Sequence, residues 1–236
     1  MCLVSAPLGP LQVRQISWDG TILFVWDTLS EPWRACVELA WEAYRAGSLP
    51  IGAVVADAEG RLLSSGRNRI HEFTGAPGTV FGRKLAHAEL NALLSLEGEV
   101  DPRSCVLYTT AEPCPLCVGA ARMTDIGELR YASREPWAGS AAMFETVPYL
   151  RRANLGLVEP DNPRLEAVLT ALLVERYLRL KPKVLPSFLQ LYEETMPHAT
   201  RAARNANSSG LLQTMATDGA SACEIVLALS REISKT

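Results

Sequence analysis

The chain has 236 residues, enough for one large domain or a core with an appendage, and long enough to bury a core without disulfides. Hydrophobic residues make up 48% and charged residues 21%, which excludes a disordered chain, a collagen and a coiled coil; no apolar run reaches the roughly 20 residues of a membrane span. The net charge of −3 supplies no global basic field for nucleic acid, though a local patch is compatible with it. The first ten residues, MCLVSAPLGP, lack a basic segment and a sustained apolar stretch, so a cytoplasmic chain is expected. Residues 11–28 carry two β-rich runs around Asp19-Gly20, which predicts a hairpin. Ser30-Glu31-Pro32 then opens a helix. Val37, Ala40, Trp41 and Tyr44 share one of its faces, and it ends near Ala46-Gly47.

Strands are predicted near 51–57 and 61–67, joined by an Ala-Glu-Gly turn. Residues 68–85 form a Gly-, Thr- and Pro-rich loop. A helix follows near 87–96, then a buried strand at 106–109 and a small-residue helix at 114–123. A strand at 129–132, a helix at 140–152 and a strand at 155–158 come next. Pro163 begins a helix whose Leu165, Val168, Leu169, Leu172 and Leu173 share a face. Strands alternating with helices predict a three-layer α/β/α sandwich, parallel in its later part.

The last 56 residues differ in character. Lys181-Pro182-Lys183 breaks the helix, and Phe188, Leu189 and Tyr192 suggest another. Residues 201–221 are polar and rich in Gly, Ser and Asn, which predicts a mobile connection. Ala222, Ile225, Val226, Leu229 and Ile233 form a final amphipathic stripe. These signals divide the chain into an N-terminal hairpin extension (1–29), a core (30–180) and a C-terminal helical extension (181–236).

The chemistry concentrates in two short segments. His87-Ala88-Glu89 opens one helix and Pro113-Cys114-Pro115-Leu116-Cys117 opens another. Cysteines at i and i+3 lie one helical turn apart, at an N-terminus that favours thiolate. One imidazole added to them makes three ligands for Zn2+, with no natural fourth nearby. An open position marks a catalytic zinc, one per chain, rather than a structural one. Zinc in such a site lowers the pKa of bound water to about 7, and Glu89, in the same first turn as His87, can shuttle the proton. A redox C-x-x-C, a structural zinc and a core histidine are the competing readings. The remaining cysteines, Cys2, Cys36, Cys105 and Cys223, read as small apolar filler.

HAELNAL and TAEPCPLC resemble the cytidine and nucleobase deaminase superfamily, whose H-x-E…P-C-x-x-C signature they carry. PIGAVVADAEGRLLSSGRN and LYTTAEPCPLCVGAARMTDIGELRYASRE are similar to its guanine, cytosine and tRNA-adenosine deaminase branch, so the likeness covers roughly residues 30–180. It implies a mixed five-stranded sheet between helices and zinc held by His87, Cys114 and Cys117, with Glu89 as the proton shuttle. It also implies substrate contacts from Asn68 and the backbone N–H of Ala88. Trp137 is placed by it at a pocket edge, against core packing as the alternative. The loop between Asn68 and His87 is longer than expected for compact members, and its His71, Phe73 and Phe81 either wall a pocket or pack the loop.

The activity so implied is hydrolytic release of ammonia from a small nucleobase, nucleoside or related aminated heterocycle. A homodimer and no membrane partner are expected. Deamination of tRNA adenosine is the alternative. It calls for clustered cations, whereas the 23 basic residues include only four lysines and the arginines are scattered. A catalytically silent deaminase fold used for binding is a third reading, disfavoured because all three ligands and the glutamate are present. For the C-terminal extension, an interface or active-site cover is favoured over a passive cap.

Overall fold

The computed structural model describes residues 25–98, 100–153 and 155–235. Most of the expected N-terminal hairpin lies outside the described residues. Its last four positions, Val25–Thr28, form a helical turn, α1, instead of a strand. The reason is local: Arg34 donates to the carbonyls of Trp26 (3.3 Å) and Asp27 (3.2 Å), which therefore seek no strand partner.

Helix α2 (Glu31–Arg45) begins with Pro32, whose missing N–H costs nothing at a helix start. Strands β1 (Gly52–Ala56) and β2 (Leu62–Arg67) form the predicted hairpin, with a register shift at Val55/Ala56. Then come α3 (Ala88–Leu94), β3 (Val106–Thr109), α4 (Pro115–Met123) and β4 (Glu128–Tyr131). The helix expected over 140–152 is two short pieces, α5 (Met143–Thr146) and α6 (Pro148–Arg151). Pro148 removes a donor and drives Val147 into an extended conformation (φ −91°, ψ 116°), so one continuous helix cannot form. β5 (Gly156–Val158) and α7 (Pro163–Leu180) follow, the latter capped by the Asn162 side chain.

The sheet order is β2-β1-β3-β4-β5. β1 runs antiparallel to β2 and β3, whereas β3, β4 and β5 are parallel. Val54, Ala56, Val106 and Tyr108 face α2, while Ala53, Val55, Leu107 and Leu129 face Ala88 and Ala92 of α3 and Val118 and Ala121 of α4. This is the expected three-layer α/β/α sandwich with a mixed five-stranded sheet. β1 is buried on both faces, which explains its unbroken apolar run. The register brings the end of β2, the start of β1 and the ends of β3 and β4 to one edge of the sheet. Gly66 on β2 lets α3 approach that edge. A Cβ there would stand 2.3 Å from the Ala92 nitrogen and 2.4 Å from the Ala88 carbonyl oxygen, so only glycine fits.

The C-terminal region is helical throughout: α8 (Leu185–Thr195), α9 (Pro197–Ser209), α10 (Leu211–Thr217) and α11 (Ala222–Ser234). The expected mobile connection over 201–221 is therefore corrected: most of it is α9 and α10. Its polar residues mask a buried row of Ala199, Ala202, Ala203 and Ala206, spaced as one helical face, which lets α9 lie close on α7. The stripe Ala222, Ile225, Val226, Leu229 and Ile233 is buried in the same cluster as Trp41, Tyr44 and Leu172. Covering each large side chain there contributes about 1.5–3 kcal/mol. The stripe is thus buried within its own chain and not left for a second subunit. Among the described residues no helix is long and apolar enough to cross a membrane.

Candidate active site

His87 and Cys114 are both helix-capping residues. Each is extended (φ −78°, ψ 154° and φ −72°, ψ 171°) at the junction where α3 and α4 begin. Packing of α3 against α4 on one face of the sheet brings the two junctions together. His87 Nδ1 lies 3.5 Å from Cys114 Sγ and 3.5 Å from Cys117 Sγ, and the sulfurs are 3.7 Å apart.

A tetrahedral ion with Zn–S about 2.3 Å and Zn–N about 2.0–2.1 Å requires S···S near 3.8 Å and N···S near 3.6 Å. The observed triangle matches both edges, so these three side chains fit a zinc ion and can hold it. The His87 ring also hydrogen-bonds the Lys84 backbone, the kind of outer contact that fixes the ring orientation of a metal-ligating histidine. Cys114 is pulled down to about 4 by its hydrogen bonds with Cys117 and His87, while Cys117 is pushed up by the same pairing and by burial. The described cysteines form no disulfide.

Glu89, on the first turn of α3, is buried, and its carboxyl bonds its own backbone N–H and Cys117. Burial pushes its pKa up, against the pull of the nearby His87 ring. Ala88, the first residue of α3, is also buried. Asn68 sits at the end of β2, buried, with its Oδ1 accepting from the Ile70 N–H at 3.2 Å.

The aromatic and histidine candidates are more scattered. Phe73 is 95% exposed and His71 is exposed, its backbone N–H donating to Ser48 Oγ. Phe81 lies half-buried against Gly75, which favours packing of the loop. Trp137 is 40% exposed, with its ring 6.1 Å from that of Phe188.

Two polar residues not singled out from the sequence organise the surroundings. Asn91 Oδ1 accepts from the Val80 N–H at 2.8 Å, and its Nδ2 donates to the carbonyls of Val80 and Arg67, clamping the long loop onto α3. Glu112 accepts from the backbone of Glu135 (3.2 Å) and Ala141 (3.1 Å), tying the loop after β4 to the segment that leads into Cys114. The available signals were position alone: Asn91 four residues after His87, and Glu112 two before Cys114.

A family model described as the cytidine and deoxycytidylate deaminase zinc-binding region matches residues 27–133. The guanine deaminase of Bacillus subtilis is 30% identical over 120 residues, covering 49% of this chain and 71% of that protein. The tRNA-specific adenosine deaminase of Agrobacterium fabrum is 31% identical over 133 residues, covering 51% of this chain and 82% of that protein. The tRNA(Ile)-lysidine synthase of Deinococcus radiodurans is 34% identical over 117 residues, but this chain spans only 19% of its length. The chain belongs to the cytidine and nucleobase deaminase superfamily, a zinc-binding family that includes guanine, cytosine and tRNA-adenosine deaminases.

Proposed function

We propose that the protein is a zinc-dependent hydrolytic deaminase that releases ammonia from a small nucleobase, nucleoside or related aminated heterocycle. The observation that carries this reading is a buried glutamate on the same helical turn as one corner of a zinc-sized His/Cys/Cys triangle. His87, Cys114 and Cys117 hold the ion. When bound, zinc supplies the Lewis acidity that makes a water molecule acidic near neutral pH. Glu89 accepts the proton from that water at its carboxylate. It passes that proton to the ring nitrogen as the water oxygen bonds the aminated carbon, then takes the proton of the new hydroxyl group and gives it to the amine, which leaves as ammonia. The Ala88 N–H and Asn68 amide orient the heterocycle, and Trp137 borders it. His71 and Phe81 serve the loop rather than the ring.

A second reading is supported by the coverage of the Agrobacterium relative: the substrate is an adenosine within tRNA. The scattered arginines and net charge of −3 favour the small substrate. The test is a panel of guanine, cytosine, adenine, their nucleosides and a tRNA anticodon stem-loop, read by ammonia release from zinc-loaded protein. Turnover of a free base or nucleoside supports the first reading. Preference for the stem-loop, weakening steeply with salt, replaces it with the second, and no ammonia from any of them overturns both.

A further inference from the structure

We infer that Tyr192, backed by Phe188, is a positioning residue: helix α8 of the C-terminal region sets the loop 133–141 through the Glu135 carboxylate. The inference rests on the reading that this loop borders the substrate.

The loop is laced to the site from its inner side. Glu112, two residues before Cys114, accepts from the N–H groups of Glu135 and Ala141, and the Pro113 carbonyl accepts from the Ser140 N–H at 2.9 Å. Ser133 Oγ donates to the Thr110 carbonyl at 2.8 Å. The fit leaves no slack, since a Cβ at Gly139 would stand 2.5 Å from the Glu112 carboxylate.

The outer side of the loop is held by the C-terminal region. Glu135 accepts from the N–H groups of Trp137 and Ala138, and its third donor is the hydroxyl of Tyr192, a fully buried residue 57 positions away in sequence. Phe188, one turn earlier on α8, stacks on Tyr192 at 4.3 Å between ring centroids and meets the edge of Trp137. One carboxylate thus joins the turn carrying Trp137 to α8. Packing alone needs only the ring of a phenylalanine at position 192. The hydroxyl adds a directional bond to a carboxyl group in a site shielded from water, where such bonds are strong. With that bond gone, Glu135 keeps only the two backbone donors of its own turn. The loop then loses its hydrogen-bonded tether to α8, keeping only the Phe188–Trp137 ring contact, while its lacing to Glu112 and Pro113 persists, so the substrate border shifts and the metal triangle stays.

The test compares Tyr192→Phe with Tyr44→Phe in zinc-loaded full chain. Tyr44 is a matched control: its hydroxyl also donates to a buried carboxylate, Glu175, at 2.7 Å, but its ring stacks on Trp41 and not on the loop. Tryptophans are labelled with 5-fluorotryptophan, and the Trp137 resonance is assigned through Trp137→Phe. Tyr192→Phe is expected to shift or broaden the Trp137 fluorine resonance and to keep one zinc per chain. With the best substrate of the ammonia panel it should raise KM about tenfold and leave kcat within about threefold. Tyr44→Phe should move the Trp41 resonance and leave Trp137, KM and kcat as in wild type.

An unmoved Trp137 resonance in Tyr192→Phe overturns the inference. So does an equal response of Trp137 to both substitutions, which reduces Tyr192 to general stability, or a fall in kcat with KM unchanged. If no substrate in the panel turns over, the proposed activity fails while the fluorine resonances still decide the tether.

Discussion

Two buried glutamates in this molecule face opposite duties. Glu175 sits between α2, α7 and α10, where Tyr44 Oη donates to one carboxylate oxygen and Gln213 Nε2 to the other, with Arg176 and Arg179 nearby. Glu89 sits beside the His/Cys/Cys triangle with its own backbone N–H and Cys117 as its partners. Burial raises the pKa of both. A carboxylate whose oxygens are filled by side-chain donors belongs to a scaffold. One that keeps acceptor capacity next to metal-binding groups can give and take a proton. Burial alone does not separate the two; the donor inventory does.

The largest test of that contrast is Glu89→Gln, which should lower turnover by about 10²–10⁴-fold or more because an amide cannot relay the proton. Zinc should remain at one per chain by elemental analysis, and the urea midpoint should hold or rise. Near wild-type turnover moves the proton transfer to another group. Glu175→Gln should leave turnover within about threefold.

Metal removal should separate the two regions next. Dialysis against a chelator is expected to strip the zinc and lower Tm, with recovery that depends on added zinc concentration, because an ion bound only by the folded state stabilises it by mass action. Hydrogen exchange should rise in α3 and the first turn of α4 and stay unchanged around Glu175. Uniform loosening of the chain would erase the distinction between the regions.

Tyr44→Phe probes the scaffold side. It leaves a buried carboxylate one donor short and should cost about 1–3 kcal/mol by urea unfolding, without changing zinc content. A neutral result places the strength of that network in Gln213 and the arginines.

The smallest effect is on pH dependence. Glu175 is held above the usual carboxylate range, chiefly by burial. Between the ordinary value and its raised one, the folded state binds the extra proton, so this group contributes stability at low pH that is lost as pH rises through the folded pKa. The unfolding free energy of Glu175→Gln relative to wild type should therefore increase from acid toward neutral pH. A gap that is flat with pH assigns Glu175 an unshifted titration.

How much of this was legible in the sequence varies by element. β1, β2, β3, α4 and α7 appear within a residue or two of expectation because turn residues and Pro163 bound them locally. The triangle was legible because its geometry follows from two helix starts. The errors share one origin. Residues 201–221 read as polar and mobile, yet Ala202, Ala203 and Ala206 bury one helical face against α7; Val147-Pro148 broke what read as one helix over 140–152. Composition averages over faces, whereas packing selects one face.

The sequence by itself determined the two short segments that carry the triangle, the glutamate two residues from His87 and the alternation of strands and helices, because each of these is set by residues within one turn or one strand of one another. Only the tertiary structure decided that the C-terminal helices share the core of α2 and α7, that Glu112 and Asn91 brace the site, and that Tyr192 reaches Glu135. Those contacts join residues far apart in the chain. Their partners are chosen by where helices come to rest on the sheet, which no local spacing encodes.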